Sequence, residues 1–169
     1  RYVQHFLDFV GTLRHTKGPD AGKPLELQPF QIFLICAIYG FRSKKDPSSR
    51  MVTDVIVYIP RKAGKSTLTA AIALYELAFG EAGSEVYCLA TTRDQANIVF
   101  TAATGFVESM PGDVADLYNV VRHHISKAGD SQSMFKALSR DTKKTVLMPR
   151  SAALTAQPPS ISFPSPTAE

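Results

Sequence analysis

The run Val55-Ile56-Val57-Tyr58-Ile59-Pro60-Arg61-Lys62-Ala63-Gly64-Lys65-Ser66-Thr67 constrains this chain more than any other stretch. Apolar, largely β-branched residues lead into a Gly-Lys-Ser turn, and an Ala-rich stretch from Thr67 to Phe79 follows with the character of a helix. Strand, tight loop, helix is the setting in which backbone N–H groups wrap around phosphate oxygens and a helix N-terminus adds the positive end of its dipole. In such a loop Gly64 lets the backbone approach closely, Lys65 sets a cation on the outer phosphates, and Ser66 offers a hydroxyl to Mg2+. The common pattern G-x-x-x-x-G-K-[ST] asks for glycine where this chain has Ile59. Arg61 and Lys62 put two further charges beside the turn, and they read either as phosphate contacts or as solvated loop charges.

The chain has 169 residues, enough for one domain with a real core. Its formal net charge of +4 permits a polyanionic partner without requiring one. No apolar run is long enough to span a bilayer, so no membrane partner is expected. Cys36 and Cys88 lie in apolar segments and read as reduced core residues. The chain starts at Arg1 rather than Met, and Arg1 to His5 does not form a signal peptide, so a fragment or a processed start is expected.

Val3, Phe6, Leu7, Val10 and Leu13 share one helical face. Thr16 to Pro24, rich in Gly and Pro, reads as a plain connector. Pro29 suits the first turn of a helix running to about Gly40. Gln31 then falls in that turn, where its carboxamide can donate and accept toward the N6/N7 edge of adenine, or serve merely as a polar residue at a helix start. Val52 to Ile59 and Glu85 to Ala90 read as buried strands. A further helix runs to about Ser109, with Thr91 or Thr92 as N-cap. Strand alternating with helix predicts a parallel sheet with crossover helices. Ligands of such sheets sit at the carboxyl ends of the strands, where Thr91, Thr92 and Gln95 fall; they are caps or ligand contacts. Residues 113–121 read as a short helix or strand, and Met134 to Leu138 as a half-buried strand or turn. His123 and His124 are adjacent, so their side chains diverge, and no third ligand stands at zinc spacing. From Thr145 to Glu169 the chain turns to Pro, Ser, Thr and Ala with few large apolar residues, the composition of a disordered tail.

Three blocks together resemble the ATPase domain of the large terminase subunit of tailed bacteriophages. They are Leu27-Gln28-Pro29-Phe30-Gln31, the loop Pro60-Arg61-Lys62-Ala63-Gly64-Lys65-Ser66, and Val86 to Ala96. The likeness runs from about Tyr2 to about Lys144 and accounts for Ile59. It implies a P-loop NTPase-type α/β domain over 1–144, ATP and Mg2+ as cofactors, and contacts from Gln31 to adenine and from Pro60 through Thr67 to the phosphates. Ser66 would hold Mg2+, and Arg61 would act in cis as an arginine finger. Double-stranded DNA, a terminase small subunit and a portal protein are the implied partners, homo-oligomerisation is implied for the full-length protein, and the implied location is the cytoplasm of a bacterial host.

One element of the family pattern is missing. Hydrolysis of ATP needs one carboxylate for Mg2+ and another to orient water. The family places these as adjacent acids ending an apolar strand; here the Pro/Ser-rich stretch begins instead, and no nuclease domain follows. A shifted or interrupted reading frame near Lys144, as in a prophage remnant, would produce this. The expectation is an ATP-binding part of a DNA-packaging motor that hydrolyses poorly, on an incomplete sheet of marginal stability. An ATP-binding or regulatory module completed by a partner chain, and a helicase-like P-loop fragment, are the competing readings.

Overall fold

The computed structural model describes residues 1–139 and the backbone of residues 153–155. The chain begins with helix α1 (Tyr2–Thr12), which turns Phe6, Phe9 and Val10 inward. Helix α2 (Pro29–Gly40) opens on Pro29, whose missing N–H costs nothing there, and on a reciprocal cap between Gln28 and Gln31. Helix α3 (Lys65–Phe79) is the centre of the core: from Leu68 to Ala78 every residue except Thr69 and Glu76 is buried. Its alanines let neighbouring elements come close on several sides. Strand β1 (Glu85–Ala90) follows, then helix α4 (Arg93–Ser109), the short helix α5 (Gly112–Ala115), and strands β2 (Tyr118–Val121), β3 (His124–Lys127), β4 (Asp130–Ser139) and β5 (Ala153–Thr155).

The five strands lie in the order β2-β3-β4-β1-β5. β4 and β5 run parallel to β1, with Val86 opposite Phe135 and Cys88 opposite Ala137 and Leu154, whereas β2–β3–β4 is an antiparallel meander. The sheet is therefore mixed, not parallel throughout as the strand–helix alternation predicts. Short turns at Arg122-His123 and Ala128-Gly129 can join only antiparallel neighbours, because a parallel connection needs a crossover of a dozen residues or so.

The core is built where α1, α2 and α3 converge on an aromatic group of Phe6, Phe9, Tyr39 and Tyr75, with the exposed ring of Phe79 packed at its edge and ring centroids 4.9–5.8 Å apart for most pairs. Burying a large apolar side chain of this kind contributes about 1.5–3 kcal/mol. On the sheet side Phe135 and Ile125 are fully buried, and the Tyr118 hydroxyl donates to Leu74 O at 3.0 Å, tying the meander to α3. Burial raises the Tyr118 phenol well above its ordinary pKa, so it stays a donor.

Three expectations change. Val52 to Ile59 forms no ladder with any described strand, although β-branched composition predicts one. A strand needs a neighbour to satisfy its N–H and C=O groups, and none of the described strands lies beside this segment. Cys36 is exposed on α2, while Cys88 is buried in β1, where burial pushes its thiol up. Of the stretch expected to be disordered, residues 153–155 pair with β1 at Tyr87 to Leu89, and the rest lies outside the described residues.

Candidate functional site

The glycine of the Gly-Lys-Ser turn is the N-cap of α3 and sits at φ 72°, a left-handed conformation that only glycine adopts cheaply. Lys62, two residues earlier, is also left-handed at φ 67°. For a residue with a Cβ this costs of order 1–2 kcal/mol, a local strain that clusters at ligand sites. The loop thus turns sharply twice within three residues and delivers Lys65 and Ser66 to the first turn of α3.

Lys65 folds back across the loop. Its Nζ donates to the carbonyl oxygens of Ile59 at 2.7 Å and Pro60 at 3.2 Å. The ammonium therefore closes the loop through two backbone carbonyls. Pro60, Arg61 and Lys62 are exposed, Ala63, Gly64, Ser66 and Thr67 half-buried. No hydrogen bond or ion pair holds Arg61 or Lys62 among the described residues.

Gln31 is buried, with 6 % of its surface exposed. Its Oε1 accepts from Gln28 N–H at 2.9 Å and its Nε2 donates to Ala63 O at 3.3 Å. A Cβ at residue 64 would lie 2.9 Å from that same Nε2. The carboxamide thus packs against Gly64 and clamps the Gly-Lys-Ser loop to the start of α2. One amide hydrogen and one lone pair remain for another partner. This clamp joins residues 32 positions apart in sequence, so nothing local announces it.

Thr91 and Thr92 stand at the carboxyl end of β1. Thr92 caps α4, accepting from Gln95 N–H at 3.3 Å, and the Thr91 hydroxyl donates to Gln95 Oε1 at 2.7 Å. These residues act on one another as a helix cap. His123 and His124 lie in the β2–β3 hairpin, and no cluster of three or more His, Cys, Asp or Glu with metal-binding geometry occurs among the described residues.

A cavity of about 210 Å³ opens beside Ser66 and Thr67. Its lining also includes His15, Thr16 and Lys17, and Ile98, Ala102 and Phe106 of α4. Sequence reasoning treats Thr16 to Pro24 as a connector. The structure makes Arg14 to Pro24 a hairpin whose residues 15–17 share a cavity with Ser66 and Thr67 at the start of α3, and the hint in the sequence is its pair of glycines, Gly18 and Gly22, both at positive φ.

What could bind here follows from the chemistry of these groups. A helix N-terminus, a lysine held over a tight glycine loop and a hydroxyl in the first helical turn fit the phosphates of a nucleotide. Ser66 would give Mg2+ one oxygen ligand.

Residues 29–145 match the family model of the terminase large subunit, ATPase domain. The terminase large subunit of Enterobacteria phage HK97 is 33 % identical over 137 residues, which cover 76 % of this chain and 25 % of that protein. The crystal structure of the HK97 bacteriophage large terminase superposes with a TM-score of 0.68 at 26 % identity, covering 85 % of this chain and 28 % of the other. The chain thus spans about a quarter of the length of these relatives. The family match includes Gln31, the Gly-Lys-Ser loop, β1 and β4 in one continuous segment. The chain belongs to the family of terminase large subunit ATPase domains.

Proposed function

We propose that the chain binds Mg-ATP at residues 60–67 and is the nucleotide-binding part of a motor that packages phage DNA. The observation that carries this reading is Lys65, held over the turn at left-handed Gly64 and bonded to Ile59 O and Pro60 O. A lysine in that position exchanges two carbonyl partners for phosphate oxygens without moving the helix that bears it. Ser66 supplies the hydroxyl for Mg2+, and Arg61, exposed and unpaired among the described residues, is free to reach the γ-phosphate in cis. Gln31 keeps the loop in place and uses its remaining amide hydrogen and lone pair to read adenine. Bound Mg2+ neutralises charge on the phosphates, and the loop supplies the rest of that neutralisation through backbone N–H groups and Lys65.

Hydrolysis also needs carboxylates to hold Mg2+ and orient water. No carboxylate among the described residues lines the cavity beside Ser66. The proposed activity of this chain is binding with little turnover. Double-stranded DNA, a terminase small subunit and a portal protein are the proposed partners of the assembled motor, and the cytoplasm of a bacterial host is its proposed location. No described helix is long and apolar enough to cross a membrane.

Titration calorimetry with Mg-ATP, run on the wild type and on Lys65→Ala with phosphate release followed in the same samples, tests this. Binding by the wild type that is lost in the variant, without turnover, is the expected result. No binding by the wild type sinks the nucleotide reading, and turnover by the isolated chain sinks the claim of catalytic incompleteness.

A further inference from the structure

We propose that the Arg14–Pro24 hairpin is a wall of the nucleotide site and that Lys17 supplies it with a further cation for the phosphate chain. This rests on the reading of residues 60–67 as a nucleotide loop.

The hairpin is not a slack connector. Arg14 and Pro24 form a bridge, Leu25 N–H donates to Leu13 O at 2.8 Å, His15 N–H donates to Lys23 O at 2.9 Å, and Gly22 N–H donates to His15 O at 2.8 Å. Its tip turns at Gly18 (φ 84°) and Gly22 (φ 85°). It is also seated on α4. Thr16 lies so close to Gly105 that a Cβ there would meet Thr16 Cγ2 at 2.9 Å. Residues 15–17 are thereby fixed at the mouth of the cavity that Ser66 and Thr67 share.

The lining decides what can enter. Lys17, Ser66 and Thr67 are its polar side, with His15 and Thr16, and no acidic residue among the described residues lines it. Lys23, on the same hairpin, is paired with Asp20 at 2.8 Å, whereas Lys17 has no hydrogen-bond or ion-pair partner among the described residues. An unpaired lysine lining the same cavity as two hydroxyl residues in the first turn of a helix favours an anion there. Because Ser66 belongs to both this cavity and the phosphate loop, that anion is the phosphate chain held by the loop. Lys17 would reach it from an element that precedes α2 in the chain.

Calorimetry on the whole chain tests the assignment, with Mg-ATP and inorganic tripolyphosphate as ligands at low and high salt. Lys17→Gln should weaken both ligands alike by about five- to tenfold at low salt, the scale of one solvent-accessible charge contact, and by less at high salt. Lys17→Glu should weaken them further, and Lys17→Arg should restore binding. Unfolding midpoints of all three should match the wild type, because Lys17 is exposed. Wild-type binding that Lys65→Ala abolishes and Lys17→Gln leaves intact would overturn the role of the hairpin alone. A loss seen with Mg-ATP but not with tripolyphosphate would overturn the assignment to the phosphates. Failure of the wild type to bind either ligand would overturn the hairpin's role together with the nucleotide reading.

Discussion

At the scale of single residues, Gly64 carries the most consequence per atom. Alanine there would have to adopt a left-handed conformation at a cost of about 1 kcal/mol and would push its Cβ against Gln31 Nε2. Gly64→Ala should therefore release the clamp on Ala63 O, weaken Mg-ATP binding at least tenfold, and lower stability by about 1–2 kcal/mol as an unfolding midpoint in urea would show. Normal nucleotide affinity in that variant would mean the clamp does not shape the loop. Gly64, Lys65 and Ser66 are legible in the sequence because their chemistry requires them at adjacent positions. The second bond of Gln31 is not, because its acceptor depends on how α2 packs. Asp130 makes a different prediction. Its carboxylate accepts from the Ser133 hydroxyl and from the N–H groups of Gly83, Gln132 and Ser133, which hold its pKa down at about 2. The unfolded value is about 3.9, so this stabilisation is complete above that pH and is lost as pH falls toward 2. Asp130→Asn should lower the melting temperature at neutral pH and flatten its decline between about pH 4 and pH 2. An unchanged acid profile would remove Asp130 from the account.

At the scale of elements, composition located the helices well because each has to bury one face. α1, α2 and α4 start and stop within a residue or two of what the periodicity predicts, and β1 matches residue for residue. The failures concern pairing. The apolar run before the loop reads as a strand on its own residues, but a strand is a property of two segments, and no described strand lies beside it. The antiparallel meander also escaped, since Tyr118 to Lys127 is too short and polar to show a clear period. The other long-range device is the contact between α3 and the hairpin bridged at Arg42 and Arg50. Arg50 pairs with Glu76 through two hydrogen bonds at 2.6 and 3.1 Å, and the Tyr39 hydroxyl donates to the same carboxylate at 2.6 Å. Glu76 is 14 % exposed and Arg50 34 %. Glu76→Ala strands two donors, one of them buried Tyr39, while Arg50→Ala leaves the Tyr39–Glu76 bond in place and a guanidinium-free carboxylate near solvent. The expected costs are about 2–3 kcal/mol for Glu76→Ala and about 1 kcal/mol less for Arg50→Ala, read from urea unfolding. Equal costs would mean that Tyr39 contributes nothing through its hydroxyl.

For the molecule as a whole, the notable surface is the approach to the Gly-Lys-Ser loop. Ile56 is 96 % exposed and Tyr58 85 %, against 42 % for Val55 and 40 % for Val57. Exposure alternates with the period of a strand, so the segment already presents two faces although no described strand pairs with it. Unpaired N–H and C=O groups beside exposed apolar side chains form a template for pairing with another chain. Self-association through this segment should therefore rise with concentration. Replacing Ile56 and Tyr58 by lysine puts charge on the exposed face, a device by which natural sheet edges avoid such pairing. The double variant should sediment as a monomer at concentrations where the wild type associates. Its melting temperature should stay within about 1–2 °C of the wild type, because exposed substitutions rarely change stability by more than about 0.5 kcal/mol. Association that persists in the variant would direct attention to the other exposed apolar face, α2 at Phe30 and Phe33. A large drop in melting temperature would instead show that Ile56 and Tyr58 are packed within the folded chain, and that the approach to the loop is part of its core.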